Sequence, residues 1–161
     1  MHWCNQPVVK YRLIAVGKIR EPYIAQALED FRTRLRRYDA LEEIEVVAAR
    51  GDDAARAMRE EAARIANHLA PSDHVWLLER SGLALSSLQV AQRLSALADA
   101  GTTRITFVVA GTYGADAALV QRADCLWSLG PLTFLHEWAR AIVLEQLYRA
   151  AKIARNEPYH H

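Results

Sequence analysis

The sequence has few features that would direct the protein to a disulfide framework, a metal site or a membrane. Of its 161 residues only Cys4 and Cys125 are cysteines, too few for a disulfide scaffold and without the spacing of metal ligands. No apolar run approaches the ~18 residues that a membrane span requires, and the opening MHWCNQPVVK is neither a signal peptide nor a transit peptide. These absences predict a cytoplasmic, soluble protein with no metal.

The chain also lacks an excess of charge of either sign. Twenty basic residues stand against 19 acidic ones, for a formal net charge of +1, so no bulk field attracts the protein to nucleic acid or to a membrane surface. Apolar residues make up 52% and charged residues 24%, the balance of an ordinary globular protein. At this length the sequence predicts one domain over residues 1–161.

Several common nucleotide-binding and catalytic motifs are missing. The turn after the first apolar run, VGKIREP at 16–22, holds one glycine, so it is neither a G-x-G-x-x-G fingerprint nor a P-loop. No G-x-S-x-G elbow and no H-E-x-x-H helix occurs. This argues against a dinucleotide oxidoreductase, a P-loop enzyme and the commonest Rossmann-type methyltransferases.

What the chain does have is a regular alternation of short β-branched runs with amphipathic stretches. The runs predict strands, and the stretches predict helices. The expected strands are 11–16, 44–48, 74–79, 104–110 and 125–129, and the expected helices are 22–38, 53–69, 86–101, 115–122 and 136–155. Strands that alternate with helices of this length favour parallel crossovers, so the sequence predicts a parallel-sheet α/β sandwich.

The last predicted helix is apolar around most of its circumference from Trp138 to Ala154. A helix with such a surface must be buried on more than one side. The additional cover is either a second chain, in a C2-symmetric homodimer, or this chain's own N-terminal helix. The pattern favours the homodimer.

Glycines gather late in the sequence, at the ends of the fourth and fifth predicted strands. Gly111 and Gly114 follow one of them, and Gly130 follows the other. Ligands in open α/β sheets bind beyond the carboxyl ends of the strands, where such loops converge. A tight turn without a ligand is the alternative, because glycine also serves turns that need a positive φ.

Specific strings spread over the chain carry a family resemblance. They are L-T-F-x-H at 132–136, A-R at 139–140, L-E-Q-L-Y-R-A at 144–150, P-Y-H at 158–160, YRLIAVGK at 11–18, L-E-x-x-G at 78–82 and F-V-V-A-G-x-x-G at 107–114. With near-constant spacing over residues 11–161, the chain resembles the ribosomal RNA large subunit methyltransferase H family. Its members are pseudouridine-N3 methyltransferases of the SPOUT, or trefoil-knot, superfamily.

The resemblance implies a fold and a cofactor. The segments after Ala110 and Leu129 are expected to form a C-terminal trefoil knot, an exception to the rule that connections stay unknotted. Its loops are expected to bind S-adenosylmethionine in a bent conformation. The cofactor-binding residues carried over from the family are Leu78, Gly111, Gly130, Pro131, Leu132, Thr133, Phe134 and Leu135.

The resemblance also implies partners. Family members are homodimers, and their C-terminal tail, here Pro158, Tyr159 and His160, reaches the active site of the partner subunit. Their substrate is a pseudouridine in the 23S rRNA of an assembled ribosome. The small net charge of this chain fits recognition of a folded ribonucleoprotein by its shape better than a general RNA-binding surface.

The chemistry that the resemblance implies asks little of the side chains. A methyl group on a sulfonium needs no metal and no covalent nucleophile, so positioning and removal of the N3 proton remain. The candidate catalytic residues are His136, Arg140, Tyr159 and His160. Histidine is the natural base near neutral pH, and Arg140 and Arg149 are candidates to hold a phosphate or the anionic base.

Each of these roles has a structural alternative. His136 could cap the last helix, and His160 could belong to a frayed terminus. Arg140 and Arg149 could instead form helix ion pairs with Glu137 and Glu145.

The chain departs from the family pattern around the cofactor loops. Ala110 and Leu135 stand where Gly and Pro are usual, and Tyr113 stands where the loop is typically acidic. Gly130 with Pro131 replaces small residues such as serine. The sequence therefore leaves a second hypothesis, a catalytically silent homodimer that binds the ribosome or RNA. Residues 1–9 have no counterpart in the family and form an N-terminal extension.

Overall fold

A computed structural model describes residues 8–159, in which five strands alternate with five helices. In chain order these are β1 (Lys10–Val16), α1 (Pro22–Leu35), β2 (Ala40–Val46), α2 (Ala54–Ala66), β3 (His74–Ala84), α3 (Ser87–Asp99), β4 (Arg104–Val109), α4 (Ala117–Arg122), β5 (Cys125–Ser128) and α5 (His136–Ala154). The predicted order of elements is confirmed. Most of the predicted N-terminal extension, residues 1–7, lies outside the described part of the chain.

The five strands form one parallel sheet in the order β2-β1-β4-β3-β5. β4 lies at its centre, and all but the first of its six residues are buried, as expected of a strand covered on both faces. The prediction of a parallel-sheet α/β sandwich is confirmed. The trefoil knot stays a prediction.

Helices cover both faces of the sheet. Side chains alternate along β1, so Leu13 and Ala15 belong to the core beneath α1, α3 and α5, whereas Ile14 and Val16 belong to the core beneath α2 and α4. Because all strands are parallel, their carboxyl ends meet along one end of the sheet, where ligands bind in folds of this class.

The expectation that α5 needs a second chain to cover it is corrected by its surroundings. The helix packs against α1, α3 and β4, and ten of its 19 residues are buried within the single chain. Its apolar circumference is therefore explained by this chain's own helices, including the N-terminal one, and the pattern no longer argues for a dimer. The homodimer itself stays a prediction, which now rests on the family resemblance.

Two strands, β2 and β3, differ from the predicted ranges by more than one residue at an end, whereas the other three differ by a single residue. β2 covers 40–46 rather than 44–48, and β3 continues past 79 to Ala84 after a register shift against β5. Where β3 continues, a Cβ on Gly82 would lie under 3.0 Å from the backbone of Leu126. Glycine is therefore what lets the two backbones approach each other at this point.

Candidate functional site

Two adjoining cavities lie at the carboxyl ends of the strands. The first, here called the loop cavity, has a volume of about 180 Å³ and is walled by residues 78–80 of β3, by the end of β4 and by the loop that follows β5. The second, here called the turn cavity, has a volume of about 320 Å³ and is walled by the turn 16–21 after β1, by Glu61 of α2 and by the start of α5. Gly111 and His136 line both cavities, so these two residues form the boundary between them.

The loop cavity contains most of the residues predicted to bind the cofactor. Six of the eight line it, namely Leu78, Gly111, Gly130, Leu132, Thr133 and Phe134. Leu135 lines the turn cavity instead, and Pro131 lines neither, although its carbonyl oxygen accepts a hydrogen bond of 3.4 Å from Arg80. Trp127 and Leu129 complete the apolar part of the wall.

Glycine backbone shapes the loops around this cavity. Gly114 has φ +87° and Gly130 has φ +106°, in the region that L side chains rarely adopt. Gly111 and Gly114 also form an isolated antiparallel bridge. The late glycines therefore form tight turns, and those turns wall a cavity at the carboxyl ends of the strands. Ligand binding at these turns stays a prediction.

His136 is the first residue of α5 and lies between the two cavities. A Cβ on Gly17 would lie 3.8 Å from His136 Nε2, so the imidazole approaches the turn after β1. The N-cap residue is Leu135, and no side-chain cap is formed there. The alternative in which His136 caps the last helix is therefore wrong.

Glu137 links the turn after β1 to α5 through hydrogen bonds, a role that was not predicted from the sequence. Its Oε2 accepts hydrogen bonds from the backbone N–H groups of Arg20 (2.9 Å) and Glu21 (3.2 Å), and the residue is 4% exposed. Burial by itself raises the pKa of Glu137, but these two bonds and the electrostatic interactions with the nearby His136 and Arg140 outweigh it and hold the pKa below its ordinary value. In the sequence, the one indication of a structural role for Glu137 is its position in the first turn of the predicted last helix, where an acidic side chain is stabilising.

Arg140, a predicted catalytic residue, is buried beneath the same turn and lines neither cavity. Its Nη1 donates to Glu45 Oε2 at 2.8 Å. Its Nη2 donates to the carbonyl oxygens of Val16, at 3.0 Å, and Gly17. The ion-pair partner is Glu45 on β2 rather than Glu137, and the guanidinium holds the end of β1 that faces His136.

The C-terminal candidates lie at the other end of α5. The centroid of the Tyr159 ring lies 4.7 Å from the centroid of the Tyr148 ring. The Arg149 guanidinium lies 4.6 Å from the centroid of the Tyr159 ring. Arg149 also forms the expected ion pair with Glu145 at 2.6 Å. Burial and the nearby Glu145 carboxylate raise the pKa of Tyr159.

A long stretch of helix separates this group from the cavities of the same chain. From His136 to Arg149, α5 advances by about 20 Å at ~1.5 Å per residue. Tyr159 therefore does not meet His136 within one chain, and His160 lies outside the described residues.

Within the described part of the chain, residues 8–159, no group of three or more His, Cys, Asp or Glu side chains is arranged to hold an ion. Over the same residues, no helix has the length and apolar character that a bilayer crossing requires. Cys125 is buried and free, and burial raises the pKa of its thiol.

Comparison with known proteins identifies the family. A family model described as "Predicted SPOUT methyltransferase" matches residues 9–160, which is nearly the whole chain and includes every residue of both cavities. The chain belongs to the SPOUT methyltransferase family.

Curated relatives in this family are similar over nearly their full length. The chain is 43% identical over 150 residues to a protein of Solidesulfovibrio magneticus, covering 93% of this chain and 97% of the relative. It is 39% identical over 153 residues to one of Pelobacter propionicus, covering 95% and 100%, and 42% identical over 152 residues to one of Rubrobacter xylanophilus, covering 92% and 96%. All three are named ribosomal RNA large subunit methyltransferase H.

The departures of this SPOUT family member from the usual pattern do not distort its backbone. Ala110 has no positive φ, because within residues 8–159 the one non-glycine residue with a positive φ is Asn156. Leu135 has φ −57°, which is within the range that a proline ring enforces. Tyr113 is 44% exposed in the wall of the turn cavity. The unusual side chains therefore occupy a backbone that proline or glycine could also adopt.

Proposed function

We propose that the protein transfers a methyl group from S-adenosylmethionine to N3 of a pseudouridine in 23S rRNA, acting as a homodimer on assembled ribosomes in the cytoplasm. The observation that carries the proposal is the pair of cavities that share Gly111 and His136. The loop cavity contains most of the residues expected to bind the cofactor, and the turn cavity adjoins it at His136, the candidate base. The names of the relatives supply ribosomal RNA as the substrate class.

The residues of the loop cavity fit S-adenosylmethionine. Leu78, Trp127 and Leu129 provide the apolar wall that suits an adenine ring, and the backbone of loop 130–134 provides donors and acceptors for its polar edge. The volume of one chain's cavity is below the ~300 Å³ of a typical ligand pocket, and Leu132, which is 68% exposed, would extend its apolar wall for the part of the cofactor that does not fit inside. When bound, the cofactor supplies an electrophilic methyl group, whose bond to sulfur breaks as the bond to N3 forms, and S-adenosylhomocysteine leaves.

His136 is the group that we assign to the N3 proton. It lines both cavities, and a neutral imidazole accepts the proton that N3 gives up during transfer. Arg140 acts as a positioning residue, since it holds the Val16 and Gly17 carbonyls of the turn beside His136. Lys18 and Arg20 are exposed on that turn and bring positive charge to the phosphates around the target.

The C-terminal tail is assigned to the site of the partner subunit. Tyr159 lies near Arg149, about 20 Å along α5 from His136, and that separation supports a role in a second chain rather than in its own. In this arrangement Tyr159 and His160 close the turn cavity of the partner around the target base, and Arg149 holds a phosphate or the anionic base.

A catalytically silent homodimer that binds the ribosome or RNA is the second candidate. The side chains at Ala110, Tyr113 and Leu135 and the small volume of the loop cavity favour it. The undistorted backbone at Ala110 and Leu135 favours the active enzyme.

Calorimetric titration with S-adenosylmethionine and S-adenosylhomocysteine separates the two candidates. Micromolar binding supports the enzyme, and its absence from a folded protein supports the silent homodimer. Methyl transfer to ribosomes from a strain lacking the modification then tests the substrate. His136→Asn should keep cofactor affinity and reduce transfer about 10²–10⁴-fold, whereas the matched control His68→Asn, at an exposed position of the chain, should change neither.

A further inference from the structure

The carboxylate of Glu61 is buried with part of its hydrogen-bonding capacity unused. Glu61 is 6% exposed, and its Oε1 accepts a hydrogen bond of 3.0 Å from the backbone N–H of Ala49. Its Oε2 has no hydrogen-bond partner among residues 8–159. A Cβ on Gly111 would lie under 3.0 Å from that oxygen, so the carboxylate faces the glycine that both cavities share.

The bond to Ala49 does not explain why a carboxylate stands here. Buried polar atoms are nearly always paired, because an unpaired one loses its hydration without compensation. A glutamine would keep the bond to Ala49 without burying a charge. Glu61 lines the turn cavity, and a free acceptor in a cavity wall fits a ligand that brings an N–H donor.

We propose that Glu61 accepts a hydrogen bond from N1–H of the target pseudouridine and thereby selects pseudouridine over uridine. This inference rests on the proposed function and assigns a specificity-determining residue to it. In pseudouridine the ribose is attached to C5, so N1 keeps its hydrogen. With the ribose and N3 held in the same positions, uridine presents C5–H where pseudouridine presents N1–H. A carboxylate at that point gains a charge-assisted hydrogen bond from one base and faces a carbon on the other.

The arrangement of the cavity walls suits this assignment. N1 and N3 flank the same carbonyl carbon of the ring, and His136 and Glu61 line the same cavity. A base that directs N3 to His136 and the loop cavity therefore directs N1 into the remainder of the turn cavity.

Glu61→Gln is the informative substitution because the hydrogen bond to Ala49 fixes the orientation of the amide. The amide oxygen takes over the backbone N–H of Ala49, which leaves the NH₂ group to face the N1–H donor. The amide NH₂ and the N1–H of the base are then both donors and cannot form a hydrogen bond, while the shape of the wall of the turn cavity is unchanged. We expect the ratio of kcat/KM for pseudouridine over uridine to fall about tenfold to hundredfold, the equivalent of one charge-assisted hydrogen bond.

The experiment compares two ribosome substrates. One comes from a strain lacking the methyltransferase, and the other from a strain that also lacks the pseudouridine synthase for the target position, so that uridine stands there. Methyl transfer is measured for the wild type, for Glu61→Gln and for the matched control Glu60→Gln, whose carboxylate neighbours Glu61 on α2 and pairs with Arg56 at 2.7 Å. The control should keep the wild-type ratio.

If Glu61→Gln leaves the ratio of kcat/KM for pseudouridine over uridine unchanged, even where both values fall, the assignment is overturned. If Glu61→Gln does not fold, Glu61→Asp keeps the charge but withdraws it by one methylene, and its ratio must fall too. A wild type that binds S-adenosylmethionine but transfers nothing to the pseudouridine ribosomes refutes the proposed function, and the inference with it. A wild type that methylates both substrates equally refutes the inference alone.

Discussion

Substitution of Arg140 separates a positioning role from direct contact with the substrate. The guanidinium donates to Glu45 and to the carbonyl oxygens of Val16 and Gly17. Arg140→Lys keeps the positive charge, but an ammonium cannot reproduce the planar fork, so we expect one of these acceptors to lose its donor. Arg140→Met removes all three hydrogen bonds and keeps an unbranched apolar side chain in the same space.

The expected magnitudes follow from the burial of the partners. Loss of one hydrogen bond to a charged group costs about 1.5–3 kcal/mol, which we expect for Arg140→Lys. Glu45 is half exposed and recovers its hydration, so the larger effect of Arg140→Met comes from the two carbonyl groups left without a donor and amounts to about 2–6 kcal/mol. With a urea dependence of about 2 kcal/mol per molar, the midpoint falls by about 1 M for lysine and about 2 M for methionine.

Urea unfolding and methyl-transfer kinetics, measured on the same samples, test this reasoning. We expect Arg140→Lys to lower the midpoint and to reduce transfer through a displaced turn cavity, with little change in S-adenosylmethionine affinity. Arg59→Met, at an exposed position on α2, is the control and should leave both readouts unchanged. A variant Arg140→Lys with the wild-type midpoint but more than about a hundredfold loss of transfer would mean that the arginine touches the substrate, and the positioning role would be refuted.

Three further predictions use thermal or chemical unfolding. The folded-state pKa of Glu137 lies below its ordinary value of 4.5, so its stabilising effect is present above that pH and is lost as the pH falls through the folded-state pKa. The difference in unfolding free energy between wild type and Glu137→Gln should therefore shrink in acid, and a constant difference would contradict it. Gly111→Ala should destabilise the protein by about 1–3 kcal/mol through the Glu61 contact. That cost should diminish in a Glu61→Ala background, and equal costs in both backgrounds would refute the contact. Leu135→Pro should raise stability by about 0.4–1 kcal/mol because φ already suits proline, and a lower melting temperature would argue against it.

The position of a strand along the chain could be anticipated from the sequence where burial imposes an apolar pattern, and not where the strand is exposed. The run RITFVV of β4 lies at the centre of the sheet and is almost wholly buried, so its pattern identifies it. β2, with the sequence ALEEIEV, forms one edge of the sheet described over residues 8–159, where it pairs with β1, and it is largely exposed. Because an edge strand has a solvated side, β2 contains glutamates that interrupt its apolar pattern, and its first four residues were therefore not predicted as a strand.

The residues of the candidate site likewise fall into two groups, those that could be predicted from the sequence and those that could not. The glycine loops could be anticipated because backbone requirements and the family strings both mark them. Glu61 could not, since an acidic residue on an amphipathic helix gives no sign that it will be buried. For Glu137, a place in the first turn of a helix was the one sign, and it does not indicate which backbone groups the carboxylate binds. The distance between Tyr159 and His136 is likewise set by the length of α5 and by the packing of the tail on Tyr148, which no local pattern records.

The attachment of the turn after β1 to α5 has a consequence for local unfolding. Surface turns usually exchange their amide hydrogens through small, frequent openings. Here the backbone N–H groups of Arg20 and Glu21 are held by Glu137, and the carbonyls of Val16 and Gly17 by Arg140. Both anchoring side chains belong to a helix buried between α1 and α3. We therefore expect the amides of Arg20 and Glu21 to exchange more slowly than those of an unanchored surface turn, because their acceptor belongs to a packed helix.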